Sequence, residues 1–345
     1  MKAGIVGATG YGGAELIRIL NHHPQFELAS LYSSSRQGES INNQYPHLTG
    51  CASHVLEEID AYRMAQELDV IFLAVPSGVA SQMAPELAGA GCTVIDLSGD
   101  FRLNNPSDYE KWYKKSPPSS EWSKKAVYSI PELCKEKLAK DSLLISNPGC
   151  YPTATLLGLA PLASNRLVRE ESVIVDAKSG VSGAGQTVAL GNIFCECNEN
   201  LKIYKVNQHQ HIPEIEQMLK AWGYMSPITF STHLVPMSRG IMATIYLTLN
   251  EHLDEDEVLQ LYTEFYEDSS FIRVRQRGEF PSTKEVTGSN FCDIGVTVDT
   301  RTKRVTIVSV IDNLMKGAAG QAVQNANLLF GMEETAGLAM TPFYP

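Results

Sequence analysis

Apolar residues in the first part of the chain fall into strand-sized runs: Ala3–Val6, Glu27–Tyr32, Asp69–Val75, Thr93–Leu97 and Leu143–Ser146. Between several of them, Ala14–Asn21 and Val79–Ala90 carry apolar positions at helical spacing. This alternation predicts βαβ units and a parallel sheet. The polar, proline-containing stretch Asn104–Lys125 reads as a surface excursion before the last strand of that sheet. From about Ser172 the pattern becomes β-rich: Ser172–Lys178, Ile228–Val235, Ile241–Leu249, Phe271–Arg275, Phe291–Val298 and Arg304–Val310. Several of these runs alternate apolar and polar residues, as a half-buried antiparallel or mixed sheet requires. Helical patterns at Ile212–Trp222 and Asp254–Tyr266 interrupt them, and Ala318–Leu329 reads as a closing helix. The expected fold class is α/β, with a nucleotide-binding domain followed by an α+β domain.

Composition narrows the partners. A chain of 345 residues suggests two domains at roughly 150 residues each. The net charge of −11 argues against a nucleic-acid backbone or an anionic membrane as the main partner. An anionic substrate must therefore be caught by a few locally placed Arg or Lys side chains. No run reaches the ~18 apolar residues of a membrane span. The chain opens directly into the strand Lys2–Val6, so no secretory signal is expected. The seven cysteines are odd in number and scattered, and Cys195-x-Cys197 is a poor match to zinc-site spacing. They read as reduced thiols of a cytoplasmic protein, five or six of them structural and buried, and no metal is expected.

Two segments carry chemistry. A strand runs directly into Gly7-x-x-Gly10-x-x-Gly13, with helix-prone residues following. Glycines there allow a sharp turn and let a diphosphate approach N–H groups at a helix N-terminus. Gly7, Thr9, Gly10, Tyr11, Gly12 and Gly13 are the expected dinucleotide contacts, with Pro76 and Ser77 after a later strand. NAD sites usually present an acidic residue some 20 residues on. Here Ser33-Ser34-Ser35-Arg36 follows the second strand, and Ser33, Ser35 and Arg36 suit a 2′-phosphate. NADP(H) is the favoured cofactor, with Glu39 as the acidic alternative.

The second segment is Asn147-Pro148-Gly149-Cys150-Tyr151-Pro152, where a strand ends and a helix is expected from Tyr151 or Pro152. Cys150 would sit at a helix N-terminus, which favours the thiolate, with backbone N–H groups available as an oxyanion hole. A thiolate needs an acid and base, and His209-Gln210-His211-Ile212-Pro213-Glu214 offers two imidazoles with Glu214 to orient one of them. The same histidines could belong to an inert surface turn, or to a metal site with Cys150 as third ligand. A Cys–His acyl hydrolase or transferase would use the same pair without a nicotinamide.

These residues resemble the N-acetyl-γ-glutamyl-phosphate reductase family. The likeness covers the whole chain through Gly7–Gly13, Leu97–Arg102, Ile145–Pro161, Lys178–Gly185, His209–Ile215, His233–Gly240 and Asp312–Ala322. It implies NADPH-dependent reduction of an acyl phosphate to an aldehyde, with phosphate release, through a thioester on Cys150. It also implies a Rossmann domain plus a glyceraldehyde-3-phosphate-dehydrogenase-like α+β domain, with the final helix returning to the first. The boundaries expected on that basis are 1–148 with 313–345, and 149–312. The resemblance makes Cys150 the nucleophile and His211, rather than His209, the preferred acid/base. It adds Ser182, Gly183 and Asn313 to the cofactor site. Arg102, Lys178 and Arg239 are candidate clamps for an acyl phosphate anionic at both ends, and a homodimer or homotetramer is expected. Aspartate-semialdehyde dehydrogenases carry an Arg and a His where Leu234 and Ile241 stand here, which argues against aspartate-semialdehyde as substrate; a related acyl phosphate, such as aspartyl phosphate or an N-acylated homologue, is the alternative reading.

Overall fold

The computed structural model describes residues 1–139 and 141–344. The chain divides into two compact units, Met1–Gly149 with Ala318–Met340, and Cys150–Gly317 with the tail from Thr341.

The first unit is a seven-stranded sheet. Its strands are β1 (Lys2–Val6), β2 (Glu27–Tyr32), β3 (Leu56–Glu57), β4 (Val70–Leu73), β5 (Thr93–Asp96), β6 (Val127–Tyr128) and β7 (Leu144–Ser146). They lie in the order β3-β2-β1-β4-β5-β7-β6, and every pairing is parallel. The strands are near-continuous apolar runs because helices cover a parallel sheet on both faces. The order reverses between β1 and β4, so the loops leaving β1, β2, β4 and β5 open on one carboxyl edge at a switch point. This is the expected α/β Rossmann arrangement.

The turn after β1 separates two uses of glycine. Gly7 has φ +83°, and a Cβ there would stand 2.3 Å from the Ala74 carbonyl oxygen. A Cβ on Gly13 would lie 2.4 Å from the Gly7 oxygen. Gly10 is different, since the nearest atom to its Cβ position is that same oxygen at 3.6 Å. The fold therefore demands glycine at 7 and 13, whereas a Cβ at 10 would make only an ordinary van der Waals contact.

The second unit holds a mixed sheet of β8 (Ile174–Ser179), β9 (Lys202–Tyr204), β10 (Thr229–Leu234), β11 (Ile241–Thr248), β12 (Ile272–Val274), β13 (Cys292–Asp299) and β14 (Arg304–Ile311). Their order is β12-β13-β14-β11-β8-β10-β9. On β11 the inward Ile241, Ala243, Ile245 and Leu247 are buried and the residues between them half-buried, which is the period of two read from the sequence. The helix Cys150–Ser164 packs on β11 and β14 and is buried from Tyr151 to Ala163.

The structure adds elements the sequence pattern did not resolve and shifts the domain boundaries. Asn104–Lys125, read as a surface excursion, carries the helices Pro106–Tyr113 and Ser120–Lys125. Their starts are signalled by Asn105 and Ser119, whose side chains accept from the Ser107 and Trp122 N–H groups. The strands β3, β6 and β9 are too short to leave an apolar run. The tail from Thr341 goes with the second unit, not the first, because the Phe343 N–H donates to the Thr287 carbonyl at 2.8 Å. Residues 313–317 likewise belong to the second unit.

Gly13→Ala should destabilise the first unit by about 2 kcal/mol or more, as overpacking against backbone does. Gly10→Ser should melt no lower than wild type, because serine caps a helix at least as well as glycine, yet weaken dinucleotide binding. Thermal melts with and without NADPH check both variants.

Candidate active site

Cys150 is the first residue of the helix Cys150–Ser164. That helix is apolar on all sides apart from buried threonines, so it must run through the interior, and its start is fixed by packing. A Cβ on Gly317 would come within 2.8 Å of the Cys150 Cβ. Glycine at 317 therefore lets the 312–317 segment close against the root of the thiol. Cys150 opens on a cavity of about 500 Å³, shared with Tyr151, Lys202, Tyr204, His209 and His211.

Both imidazoles of the histidine pair reach this cavity, which brings together the thiol and the acid/base candidates. His209 is 4% exposed and His211 8%, with ring centroids 4.7 Å apart. The His211 backbone N–H donates to His209 Nδ1 at 3.2 Å. That leaves the proton of neutral His209 on Nε2. Burial, aided by the nearby Lys205 charge, pushes the His209 pKa down to about 3. His209 is thus a neutral ring at physiological pH, wedged edge-on against Tyr151, Tyr204 and Phe230. Glu214 lies fully buried in the first turn of the helix Ile212–Ala221. The Tyr151 and Tyr204 hydroxyls meet at 2.9 Å, and burial raises both phenol pKa values above the usual range.

Asn313 knots three of the motifs together. Its Oδ1 accepts from the Gly240 N–H at 2.7 Å and its Nδ2 donates to Ser182 Oγ at 3.0 Å. The Gly180, Val181 and Ser182 N–H groups donate to carbonyls of Gly240, Met237 and Ser238. Ser182 and Gly183 thereby form one backbone cluster with Asn313, and Gly183 lines the Cys150 cavity.

Of the expected anion clamps, Lys178 and Arg239 belong to the same unit as the cavity and do not line it. Lys178 lies on the sheet face opposite Ser179, its Nζ on the Asp176 carboxylate at 2.7 Å. Its parity along β8 is the reason, since the inward position belongs to Ser179. Arg239 is tied to the buried Asp312 at 3.3 Å. Arg102, in the first unit, donates to the Asn147 and Leu97 carbonyls at 2.9 and 2.8 Å. Tyr204, Lys202 and Lys205 line the cavity without having been singled out, as does Tyr151, which was named only as a helix start. The signal for Lys202 and Tyr204 was the alternation Lys202-Ile203-Tyr204 ahead of His209.

In the first unit, the helix Tyr11–Leu20 starts at Gly10 with no side-chain cap and no acidic residue in its first turn. Its N-terminus keeps the positive end of a helix dipole for an anion. Ser33, Ser35 and Arg36 follow β2 on the same sheet edge, where Arg36 makes only a long, exposed contact with Glu39 at 3.6 Å. Ser77 is used internally, its Oγ accepting from the Gly99 N–H at 3.3 Å and its carbonyl from Lys115.

Comparison with known proteins settles the family. The chain is 59% identical to an N-acetyl-gamma-glutamyl-phosphate reductase of Bacillus subtilis (strain 168) over 346 residues, covering all of both chains. It is 58% identical to one of Geobacillus sp. (strain WCH70) over the same span. The chain belongs to the N-acetyl-gamma-glutamyl-phosphate reductase family. Residues 2–141 match the NAD binding domain of semialdehyde dehydrogenases, and residues 150–313 match their dimerisation domain. In fold the family is close to aspartate semialdehyde dehydrogenase II of Vibrio cholerae, with TM-score 0.73 and 19% identity over 96% of this chain and 98% of that one. The NADP-bound enzyme of Candida albicans gives 0.72 and 18% over 95% and 98%. The α/β class with a second domain of this dehydrogenase type stands as expected.

None of the seven cysteines is in a disulfide, and only Cys92, Cys134 and Cys292 are buried, fewer than expected. Burial, followed by the Asp69 charge, pushes the Cys92 thiol up to about 12. Among the described residues no cluster of three or more His, Cys, Asp or Glu side chains is placed to hold a metal.

The His209 shift makes a pH prediction. Its folded pKa of about 3 lies below the ordinary imidazole value of 6.5, so the unfolded chain takes up the proton first. The stability this neutral ring preserves is complete above about pH 6.5 and is lost as pH falls toward 3. Asparagine can accept the same His211 N–H without titrating. His209→Asn should therefore shrink the stability difference between pH 7 and pH 4 by about 3 kcal/mol, measured by urea unfolding at both pH values.

Proposed function

We propose that this chain reduces N-acetyl-γ-glutamyl phosphate to N-acetylglutamate 5-semialdehyde with release of phosphate, using NADPH, in arginine biosynthesis. The observation that carries this is identity of 54–59% along the whole length to enzymes of that name. A cysteine at a helix start beside a pair of buried imidazoles supports it.

The residues of the first unit fit the cofactor. The uncapped helix behind Gly10 would take the diphosphate. Ser33, Ser35 and Arg36 would take the 2′-phosphate, which favours NADPH over NADH. Ser182, Gly183 and Asn313 are assigned to the nicotinamide side. Bound NADPH supplies the hydride.

The chain's own residues do the rest. His211 takes the proton of the Cys150 thiol, while neutral His209 and buried Glu214 hold its position. The sulfur adds to the γ-carbonyl carbon and the helix N–H groups stabilise the oxyanion. As the carbon–oxygen bond to phosphate breaks, His211 returns the proton to the leaving phosphate, and a thioester remains on Cys150. After reduction of that carbon, the carbonyl re-forms, the carbon–sulfur bond breaks, and the thiolate regains a proton through His211. His209, with a pKa of about 3, is a poor proton carrier near neutrality, and this favours His211 for the role.

Homo-oligomerisation is inferred from the match of residues 150–313 to a dimerisation domain. Seven cysteines, none in a disulfide, support a reducing compartment, the cytoplasm. Among the described residues no helix is long and apolar enough to cross a membrane.

Cys150→Ser should lower turnover of N-acetyl-γ-glutamyl phosphate by 10³-fold or more, since an unactivated hydroxyl replaces a thiolate, while NADPH affinity changes less than twofold. NADPH oxidation at 340 nm and fluorescence titration check the pair. Turnover surviving in the variant, or phosphate release without NADPH that continues beyond one equivalent per Cys150, would sink the covalent reductive mechanism.

A further inference from the structure

The cavity at Cys150 holds positive charge that nothing in it neutralises. Lys202 and Lys205 both line it, and none of the other lining residues is an Asp or Glu. Lys202 pairs with Leu234 on the edge strand β9, two residues before Tyr204, so both face the cavity while Ile203 points away, 49% exposed. Its Nζ donates to the Gly191 carbonyl at 3.0 Å. Lys205 follows the strand in a left-handed conformation, φ 46°, and its Nζ donates to Gln210 Oε1 at 2.7 Å.

Both ammonium groups therefore rest on neutral acceptors. Among the described residues neither has a carboxylate within ion-pair distance, whereas Lys178 and Arg239 are each bound to an aspartate. An ammonium carries three donors, and each of these spends one on the protein. In a chain of net charge −11, two uncompensated cations at the nucleophile make a local anion trap. The strand beneath them is anchored, because Thr232 Oγ1 donates to the Tyr204 carbonyl at 2.7 Å. Edge position alone would allow these lysines to be solvent-facing. Their convergence with Cys150 and His211 on one cavity is what gives them a ligand.

We propose that Lys202 and Lys205 form the oxyanion clamp of the Cys150 cavity, binding a carboxylate or phosphate oxygen of the acyl phosphate. The inference rests on the reaction given under Proposed function and adds the groups that grip its substrate. Within the second unit it moves substrate recognition from Lys178 and Arg239 to the segment between β9 and the histidine pair.

The reverse reaction separates the two anionic ends, because N-acetylglutamate semialdehyde carries the carboxylate and inorganic phosphate is added separately. Lys202→Met, Lys205→Met and the double variant should each raise one of the two KM values, about tenfold or more in the double variant. The KM for NADP and the melting temperature should hold within narrow limits. A rise in the phosphate KM assigns the clamp to phosphate, and a rise in the semialdehyde KM assigns it to the carboxylate. Lys→Arg at either position should restore most of the loss. A second readout needs no turnover: inorganic phosphate or N-acetylglutamate should slow alkylation of Cys150 by iodoacetamide in wild type and not in the double variant. Both KM values within twofold of wild type, with protection intact, would overturn the clamp. A wild-type chain inactive with this substrate pair would instead overturn the reading of the reaction.

Discussion

A helix that is apolar on every side has to be surrounded, and the second unit is arranged around that requirement. Cys150–Ser164 is buried from its second residue to its fourteenth, so sheet and helices must enclose it. Where the helix crosses β11 and β14, Gly158 lets Ile245 and Ser309 approach to 3.0 and 3.2 Å of its Cβ position. Tyr262 and Tyr266 reach across from the helix Glu255–Phe265 and its C-cap to donate to the Gly158 and Leu157 carbonyls. A helix clamped this way cannot slide or rotate without breaking packing at several points. Its first residue is thereby held still. The position of Cys150, the proposed nucleophile, is thus a consequence of core packing as much as of any contact in the cavity itself.

The cavity combines two electrostatic conditions that reinforce each other. Burial removes water from around His209, and the Lys205 charge further disfavours a second positive charge there. The imidazole is kept neutral, so it accepts the His211 N–H without taking up a proton itself. The same absence of acidic groups leaves Lys202 and Lys205 uncompensated. One composition of the cavity wall, cations and neutral rings with no carboxylate, suits both the proposed proton transfer at His211 and the proposed capture of an anion.

Much of this was legible in the sequence, for identifiable reasons. The strands at 2–6, 70–73 and 144–146 are buried on both faces and so appear as unbroken apolar runs. The alternation along β11 appears because one of its faces is packed. β3, β6 and β9 have two or three residues and no periodicity to detect. The helices within 104–125 were hidden by polarity, although Asn105-Pro106 and Ser119 are start signals that could have been read. Cys150 and the histidine pair stood out because their residue types are chemically uncommon at such junctions. Lys178 misled because membership of a motif does not say which face of a strand a side chain takes, and Ser179 holds the inward position. Lys202 and Lys205 carried no motif, and only the cavity sets them apart from the other 26 Lys and Arg residues.

The first unit contains a comparison that supports the cofactor assignment on physical grounds alone. Two helices there begin on the same sheet edge, after β1 and after β4. The helix Ala80–Gly89 has its N-terminus neutralised from within, because the buried Asp100 carboxylate accepts from the Gly78 and Ser81 N–H groups at 2.7–2.8 Å. Asp100 is in turn held by the Tyr109 hydroxyl at 2.7 Å. The helix Tyr11–Leu20 has no such carboxylate and no capping side chain. A Cβ on its N-cap glycine would meet the Gly7 oxygen at an ordinary van der Waals distance of 3.6 Å, so sterics alone do not require glycine there. A glycine N-cap forgoes only a few tenths of a kcal/mol relative to serine, and the neighbouring helix shows that this sheet edge can supply an internal anion. The absence of a capping side chain and of a carboxylate leaves the positive end of this helix able to take an anion from outside, which supports the proposed place of the diphosphate.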